Sequence, residues 1–230
     1  MLAADISLMD SCPDDIPSYP VGTKLIRYCY CNERYKTAMA RPKKFDDAVG
    51  LQKALNVFWK KGYAGTSISD LTASMDINAP SLYATYGDKH RLFLSALQAY
   101  LQSQHAWMRQ SVAENKPVKD IIRLLLASLL DETLADPERR GCFMVNTITE
   151  MANQDTQVFT IAADNEHKVR SILADLIRKG QSTGEIATDK DADILASFLF
   201  INFMGIRVIA ATNNDKKHLH KVLEVILSAI

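Results

Sequence analysis

The segment 66–89, TSISDLTASMDINAPSLYATYGDK, constrains the fold more than any other part of the chain. Ser67 and Asp70 have the spacing of a capping box, in which two side chains satisfy free N–H groups at the start of a helix. Apolar residues then recur at steps of three and four, which indicates a helix of about two turns with one apolar side. A turn at 76–78 supplies an asparagine cap for a second short helix, which Gly87 ends.

The second predicted helix has about seven residues and a length of roughly 10 Å, which suits the major groove of DNA. Asp76 stands in the turn, and aspartate tolerates the left-handed backbone conformation better than most residues, so we expect the turn to be kept. Upstream, the segment Phe45–Gly62 has Ala48, Leu51, Leu55 and Phe58 on one face. This pattern predicts a supporting amphipathic helix before a helix-turn-helix unit.

Three short strings stand in register with this unit: Gly-Tyr-x-x-Thr-Ser at 62–67, Ser-Leu-Tyr at 81–83 and Gly-Asp-Lys at 87–89. From Arg41 to about Tyr100 the chain resembles the N-terminal domain of the tetracycline-repressor (TetR) family of bacterial transcription regulators. The resemblance implies an all-α chain, with a three-helix helix-turn-helix DNA-binding domain at 39–88. A helical effector-binding and dimerisation domain is expected at 89–230.

Residues 1–38 do not fit the family pattern, because prolines and scattered charges interrupt any period. We interpret them as a mostly disordered extension, and Met39 is the alternative start of translation. The alternative is a short ordered segment at 25–30. From Asp88 onward the chain reads as helical, with about nine helices expected after Met39. The expected segments are Lys89–Glu114, Val118–Leu134, Cys142–Asn153, Gln157–Lys179 closed by Gly180, Asp189–Thr212 and Lys216–Ala229.

The resemblance also implies which side chains meet DNA. On or beside the second helix of the unit, these are Asn78, Ala79, Ser81, Tyr83, Thr85 and Tyr86, where hydroxyls reach bases or phosphates and the alanine methyl meets a thymine methyl. Thr66, Ser67 and Lys89 are candidate phosphate contacts. Packing against the first helix is the alternative for both tyrosines. Arg41, Lys43 and Lys44 form a candidate basic arm for the minor groove or the backbone, or else a solvated tail.

A cavity between the C-terminal helices is expected to hold a small effector. Its candidate lining is Trp107, Met108, Cys142, Phe143, Thr147, Met151, Phe159, Phe198, Asn202 and Arg207, and simple core packing is the alternative for each. Arg207 and Asn202 stand out because polar groups on so apolar a helix need partners, such as an acidic ligand or a second subunit. Cys142 is either a thiol sensor or a structural buried cysteine.

The last two predicted helices are the candidate dimer interface. They carry more apolar surface than one cavity wall needs, which predicts a four-helix bundle across a two-fold axis. The side chains assigned to this interface are Leu195, Phe198, Leu199, Phe203, Leu223, Ile226 and Leu227.

The composition of the chain and the absence of certain motifs limit the classes of protein to which it can belong. The chain of 230 residues has zero formal net charge, but six basic residues against two acidic ones between Met39 and Gly62 give a local net charge of +4. We find no phosphate loop, metalloprotease or nucleophile-elbow motif, no zinc-site spacing around Cys29 and Cys31, and no secretory signal. The apolar window 192–211 contains Asp193, Asn202 and Arg207, which argues against a membrane span.

The sequence therefore predicts a cytoplasmic homodimer without a cofactor or metal. We expect it to bind a palindromic double-stranded operator and to repress transcription until an unidentified small effector releases it. The alternatives are an activator, a ligand-independent regulator, or an all-α enzyme that carries a helix-turn-helix.

Overall fold

The computed structural model describes residues 47–230, and these residues form nine α-helices and no strand. The helices are α1 (Asp47–Lys61), α2 (Ile68–Met75), α3 (Ala79–Tyr86), α4 (Lys89–Val112), α5 (Val118–Ala135), α6 (Phe143–Met151), α7 (Thr156–Ser182), α8 (Ala192–Thr212) and α9 (Lys216–Ser228). The all-α prediction is confirmed. The predicted extension 1–38, the start at Met39 and the basic arm at Arg41, Lys43 and Lys44 lie outside the described residues.

The helix-turn-helix has the local geometry that its sequence predicts. Ser67 and Asp70 form a reciprocal capping box at the start of α2, with both N···O distances 3.0 Å. Asp76 ends α2 in the left-handed conformation, with φ 57° and ψ 46°. Gly87, with φ 83°, ends α3. Side-chain caps and one strained turn residue therefore fix the angle between α2 and α3.

Two hydrophobic cores share the long helix α4. The N-terminal core joins α1, α2 and α3 to the first half of α4, and it also takes in α6 and the start of α7. The C-terminal core joins the end of α4 to α5, α7, α8 and α9. Because α6 belongs to the N-terminal core, the helix-turn-helix is packed directly against a helix from the second half of the chain.

The sequence pattern predicts that Gly180 ends a helix. This prediction is wrong, because α7 continues to Ser182. A β-carbon at Gly180 would lie 2.8 Å from Ile186 Cδ1 and 3.1 Å from Val118 Cγ1. The glycine therefore lets the start of α5 and the 183–191 loop approach α7 closely. Its role is packing rather than termination.

Gly180→Ala is accordingly expected to destabilise the fold by about 1–3 kcal/mol, the usual cost of overpacking a core. Ile186→Val removes the Cδ1 atom that the new methyl group would strike. The double variant should thus recover part of the loss, and urea unfolding of the two single variants and the double variant measures the coupling. Strictly additive effects would contradict the proposed contact.

The side chains predicted to form the dimer interface are buried within one subunit, with Phe198 partly buried against the same core. That part of the prediction is wrong, because α8 turns its most apolar face toward α5 and α7 instead.

A different face of α8 is apolar and exposed to solvent, and we call it the bare face. Ile194, Ile201 and Val208 recur at every seventh residue of α8 and are 68%, 68% and 48% exposed. Three further apolar side chains are exposed on these two helices, Ile209 on α8 and Val222 and Val225 on α9.

By length and composition alone, α8 is also apolar enough to cross a membrane, with a mean hydropathy of 2.0 and 39% of the apolar window buried. Its buried side includes Arg207, which is only 4% exposed and is paired inside the protein. A helix with one packed face and a buried, paired arginine has the pattern of a core helix.

Candidate DNA-reading surface and effector cavity

Helix α3 presents almost its whole circumference to solvent. Leu82 is its buried anchor, and Ser81, Tyr83 and Thr85 are exposed around it. Asn78 caps the helix, since its Oδ1 accepts a hydrogen bond of 2.8 Å from the backbone N–H of Ser81. The result is a short rigid helix whose outer surface carries hydroxyl groups and small side chains. We call this surface, from Asn78 to Thr85, the reading surface.

The two tyrosines at α3 have different surroundings. Tyr83 is 47% exposed and extends the reading surface. Tyr86 is partly buried against the N-terminal core, and its hydroxyl donates to the backbone carbonyl of Asp47, at 3.2 Å. Tyr86 therefore connects α3 to α1, which matches the packing alternative given for it. Ala79 lies half-buried beside the cap.

Three predicted phosphate contacts lie at the junction of α1, α2 and α4. Thr66 is only 2% exposed, and its hydroxyl donates to the carbonyl of Gly62 at 2.6 Å. Lys89 Nζ donates to the carbonyl of Thr66 at 2.7 Å and lies 4.3 Å from the centre of the Tyr63 ring. Ser67 remains exposed at the start of α2. Thr66 and Lys89 thus hold the helix-turn-helix together, and Ser67 is the candidate that is most accessible to a phosphate.

Part of the basic charge near the reading surface is already paired. Lys61 Nζ lies 2.6 Å from Asp70 Oδ1, and Lys60 pairs with Glu138. The hydrogen bond from Lys61, together with those from Ser67, holds the pKa of Asp70 far below its ordinary value. The pairing of Lys60 reaches from α1 to the loop before α6.

Further contacts attach α6 and its neighbours to the helix-turn-helix. Glu150, near the end of α6, accepts hydrogen bonds from the backbone N–H groups of Tyr63 and Ala64, at 2.9 and 2.7 Å. His90 Nε2 lies 2.6 Å from Asp155 Oδ2 at the start of α7. A displacement of α6 would therefore be felt at the turn that leads into α2.

The other end of α6 borders a cavity of about 50 Å³. The cavity lies between α4, α5, α6, α7 and α8. Its lining is Tyr100, Leu101, Gln104, His105, Trp107, Met108, Leu129, Cys142, Met144, Asn165, Val169, Phe203, Met204 and Arg207. Four of the residues predicted to line an effector site are among them: Trp107, Met108, Cys142 and Arg207.

The remaining predicted lining residues lie elsewhere. Phe143 and Met151 are buried in the N-terminal core, Thr147 is buried, and Phe198 packs on the C-terminal core. Asn202 is partly buried and donates to the carbonyl of Phe198 in its own helix, at 2.8 Å. Phe159 is 61% exposed on α7. Asn202 and Arg207 therefore do not form one site, because they lie on different sides of α8.

Arg207 is the centre of a buried polar cluster at the cavity. Its Nη1 donates to Tyr100 Oη at 3.0 Å and to Cys142 Sγ at 3.3 Å, and its Nη2 is 3.1 Å from Glu132 Oε2. Burial lowers the pKa of Arg207, but the three neighbouring groups outweigh burial and raise this pKa above its ordinary value. Arg207 is thus a permanent buried cation that ties α8 to α4, α5 and α6.

Tyr100 keeps its proton in this cluster, because burial raises the pKa of its phenol well above the ordinary value. Its hydroxyl lies 3.7 Å from Cys142 Sγ. Sequence reasoning did not find Tyr100 or Glu132. The one available signal was Arg207 itself, which demands an acidic partner on another helix, and α5 offers Asp131 and Glu132 within an apolar stretch. Within residues 47–230, no group of three His, Cys, Asp or Glu side chains could hold a metal ion.

Comparisons with known proteins agree with this architecture. The family model for bacterial regulatory proteins of the tetR family matches residues 51–96, and the model for the tetracyclin repressor-like C-terminal domain matches residues 119–226. An uncharacterized HTH-type transcriptional regulator, YezE of Bacillus subtilis (strain 168), is 31% identical over 84% of this chain and 100% of its own length. The chain belongs to the TetR family of bacterial transcriptional regulators.

Other TetR-family proteins resemble the chain over similar lengths. The HTH-type transcriptional repressor ComR of Escherichia coli (strain K12) is 28% identical over 83% of this chain and 90% of its own. A solved structure of a cysteine mutant of the TetR-family regulator CifR, in complex with 26-base-pair operator DNA, is 30% identical. Its TM-score is 0.73, with 83% of this chain and 99% of that chain covered. The predictions of a TetR-family member and of a DNA-binding transcriptional regulator are therefore confirmed.

Proposed function

We propose that this TetR-family regulator is a cytoplasmic homodimeric repressor that binds a palindromic operator and is released by a small effector. The observation that carries the proposal is the reading surface, a capped helix whose exposed side chains are hydroxyls and small groups. Relatives named as repressors, and a structural neighbour in complex with operator DNA, support it. In the dimer, each α3 would enter one of two successive major grooves, with half-sites about one helical turn apart.

The hydroxyls of the reading surface are suited to both bases and phosphates. Ser81 and Thr85 are exposed on α3, and Tyr83 extends beside them. Such groups position the helix by phosphate contacts and discriminate bases by hydrogen bonds in the groove. Arg41, Lys43 and Lys44 supply positive charge just before α1, and we assign them to the DNA backbone or the minor groove.

Operator binding tests the function directly. Genomic DNA captured by the protein supplies the operator, and titration gives its affinity as a function of salt. Thr85→Val, which removes one hydroxyl per subunit without changing shape, should weaken binding roughly tenfold to hundredfold. Thr160→Val on α7 is the matched control, since the Thr160 hydroxyl donates only to a carbonyl of its own helix.

The salt response separates phosphate contacts from base contacts. For a dimer, the plot of log affinity against log salt concentration should have a slope of magnitude on the order of 6 to 10. Thr85→Val should leave this slope unchanged if its hydroxyl reads a base, whereas loss of a phosphate contact would reduce it. A flat salt response, or equal affinity for random duplex, would contradict the proposed function.

The bare face of α8 and α9 is the proposed dimer interface. Exposed apolar side chains stand on both helices, and two such helices from each subunit can close a four-helix bundle about a two-fold axis. This assignment keeps the predicted helices but replaces the predicted side chains. The contacting residues would be Ile194, Ile201, Val208, Ile209, Val222 and Val225.

The proposed effector site is the cavity at Arg207. It is bounded on one side by the start of α6, and Glu150 near the other end of α6 contacts the turn before α2. An effector releases DNA only if it binds the incompetent conformation more tightly than the competent one. Because typical ligand sites measure about 300–1,000 Å³, a cavity of about 50 Å³ requires either a very small ligand or an opening of the helices.

A further inference from the structure

The cavity brings a buried thiol together with two buried side chains that can donate hydrogen bonds, Tyr100 and Arg207. Cys142 is 2% exposed and caps the start of α6, and its Sγ accepts from Arg207 Nη1 at 3.3 Å. Tyr100 Oη lies 3.7 Å from the same sulfur. Within the described residues, Arg207 Nε is a buried N–H group with no hydrogen-bond partner. An oxygen atom in the cavity that Arg207 lines could therefore accept from an N–H group that the folded chain leaves unused.

The volume of the cavity limits the size of the molecule that could carry this oxygen atom. One water molecule needs about 10–15 Å³ of cavity volume. The cavity of about 50 Å³ therefore accommodates a molecule of about four non-hydrogen atoms. Even very efficient small ligands gain at most about 1.5 kcal/mol per atom, which gives about 6 kcal/mol and a Kd in the tens of micromolar. A covalent bond would remove this limit, and Cys142 is the nucleophile that borders the cavity.

The charge of the cluster argues against a simple anion as the occupant. Arg207 is already neutralised by Glu132, whose carboxylate lies 3.1 Å from its guanidinium. A second carboxylate would face that negative charge in an apolar surrounding, which is costly. A neutral molecule with a carbonyl oxygen keeps the charge balanced and still uses the unpartnered N–H group.

We propose that Cys142 is a covalent sensing residue for small α,β-unsaturated carbonyl compounds, whose oxygen is held by Arg207 and Tyr100. In the reaction, the sulfur forms a bond to the β-carbon and the electron pair of the C=C bond moves toward the carbonyl oxygen. Hydrogen bonds from Arg207 and Tyr100 stabilise the negative charge that develops on that oxygen. The thiol proton ends on the α-carbon, so the reaction is an addition with no leaving group and no oxidant.

The path to the thiol runs through a groove between α4 and α7. This outer groove, of about 300 Å³, shares Leu101, His105 and Asn165 with the inner cavity. The buried hydrogen bond between His105 Nε2 and Asn165 Oδ1, at 2.9 Å, lies between the two spaces. Separation of this pair would admit a small molecule from the groove to Cys142.

A bond formed at Cys142 would act at the first turn of α6. Because Glu150 near the opposite end of this helix accepts from the backbone of Tyr63 and Ala64, a shift of α6 reaches the helix-turn-helix. This part of the inference rests on the proposed function, since release from the operator presupposes operator binding. The chemistry at Cys142 does not.

The experiment treats the full-length protein with propenal and follows each cysteine by peptide mass spectrometry after reduction of the free aldehyde. A merely structural buried cysteine is protected by the fold. Cys142 is instead expected to react faster in the folded protein than in the urea-unfolded chain, and faster than Cys12, Cys29 and Cys31 in the same sample. Tyr100→Phe should slow the reaction at Cys142 roughly tenfold or more. Asn165→Ala should speed it by opening the path.

Operator titration of the same samples completes the test. Addition at Cys142 should lower operator affinity at least tenfold, and Cys142→Ser should bind the operator yet ignore propenal. Protection of Cys142 in both the wild-type protein and Asn165→Ala would overturn the proposal. Addition without release would overturn its sensing role. Failure of the untreated protein to bind any operator would contradict the proposed function instead, and the two failures are therefore distinguishable.

Discussion

Ile201→Glu is expected to yield a folded monomer that has lost operator binding at concentrations where the wild-type protein binds fully. Ile201 is 68% exposed at the middle of the bare face of α8, so the substitution costs little within one subunit. In a two-fold interface the same residue occurs in both subunits, and two buried carboxylates without partners cost several kcal/mol. Light scattering and operator titration on the same preparation measure both effects.

Phe159→Glu is the matched control for this prediction. Phe159 is 61% exposed on α7, and its neighbour Val158 is packed in the N-terminal core, away from the bare face. This variant should remain dimeric and bind the operator normally. If Ile201→Glu also stayed dimeric at micromolar concentration, the interface would have to lie elsewhere on the subunit.

Arg207→Met is expected to have the largest effect on stability among single substitutions at the cavity. It leaves the Glu132 carboxylate, 15% exposed, without its cation, and breaking a buried pair costs about 3–5 kcal/mol. The low end of this range applies because Glu132 retains some solvent, and for a chain of this size it corresponds to a loss of about 6–12 °C in Tm. Thermal unfolding measures the shift.

Two further variants serve as controls for the loss of stability in Arg207→Met. Arg178→Met breaks an exposed pair between α7 and α8, with Arg178 and Asp193 side chains 50% and 62% exposed, and should cost less than about 1 kcal/mol. The double variant Arg207→Met with Glu132→Leu removes both buried charges and should recover most of the lost stability. Equal costs for Arg207→Met and Arg178→Met would show that the buried cluster contributes little to the fold.

The sequence was a good guide where local chemistry decides the structure. The capping box at Ser67, the left-handed Asp76 and the terminating Gly87 each depend on a few neighbouring residues, and all three are found as predicted. Gly180 shows the limit of such reasoning. Glycine often ends helices, but here the close approach of Ile186 and Val118 requires it, and Val118 is more than 60 residues away in the sequence.

The candidate sites likewise divide into features that the sequence predicts and features that depend on contacts between helices. The period of α8 and α9 indicated apolar helices but not which of two apolar faces turns inward, because α8 is apolar on nearly every side. Trp107, Met108, Cys142 and Arg207 meet at one cavity, whereas Asn202 points elsewhere despite its nearness to Arg207 in sequence. Tyr100 and Glu132 belong to the cluster only through contacts between helices, which one sequence does not reveal.

The contact between Glu150 and the turn before α2 has a consequence for how such regulators diversify. The carboxylate is bound by main-chain N–H groups, which every residue except proline possesses, so these two hydrogen bonds do not themselves depend on which side chains stand at 63 and 64. At Gly62 the backbone favours glycine, because φ is 73°, and a β-carbon there would lie 2.8 Å from Glu150 Oε2. A different helix-turn-helix exchanged onto the same sensor half would therefore need this glycine, together with partners for Glu138 and Asp155.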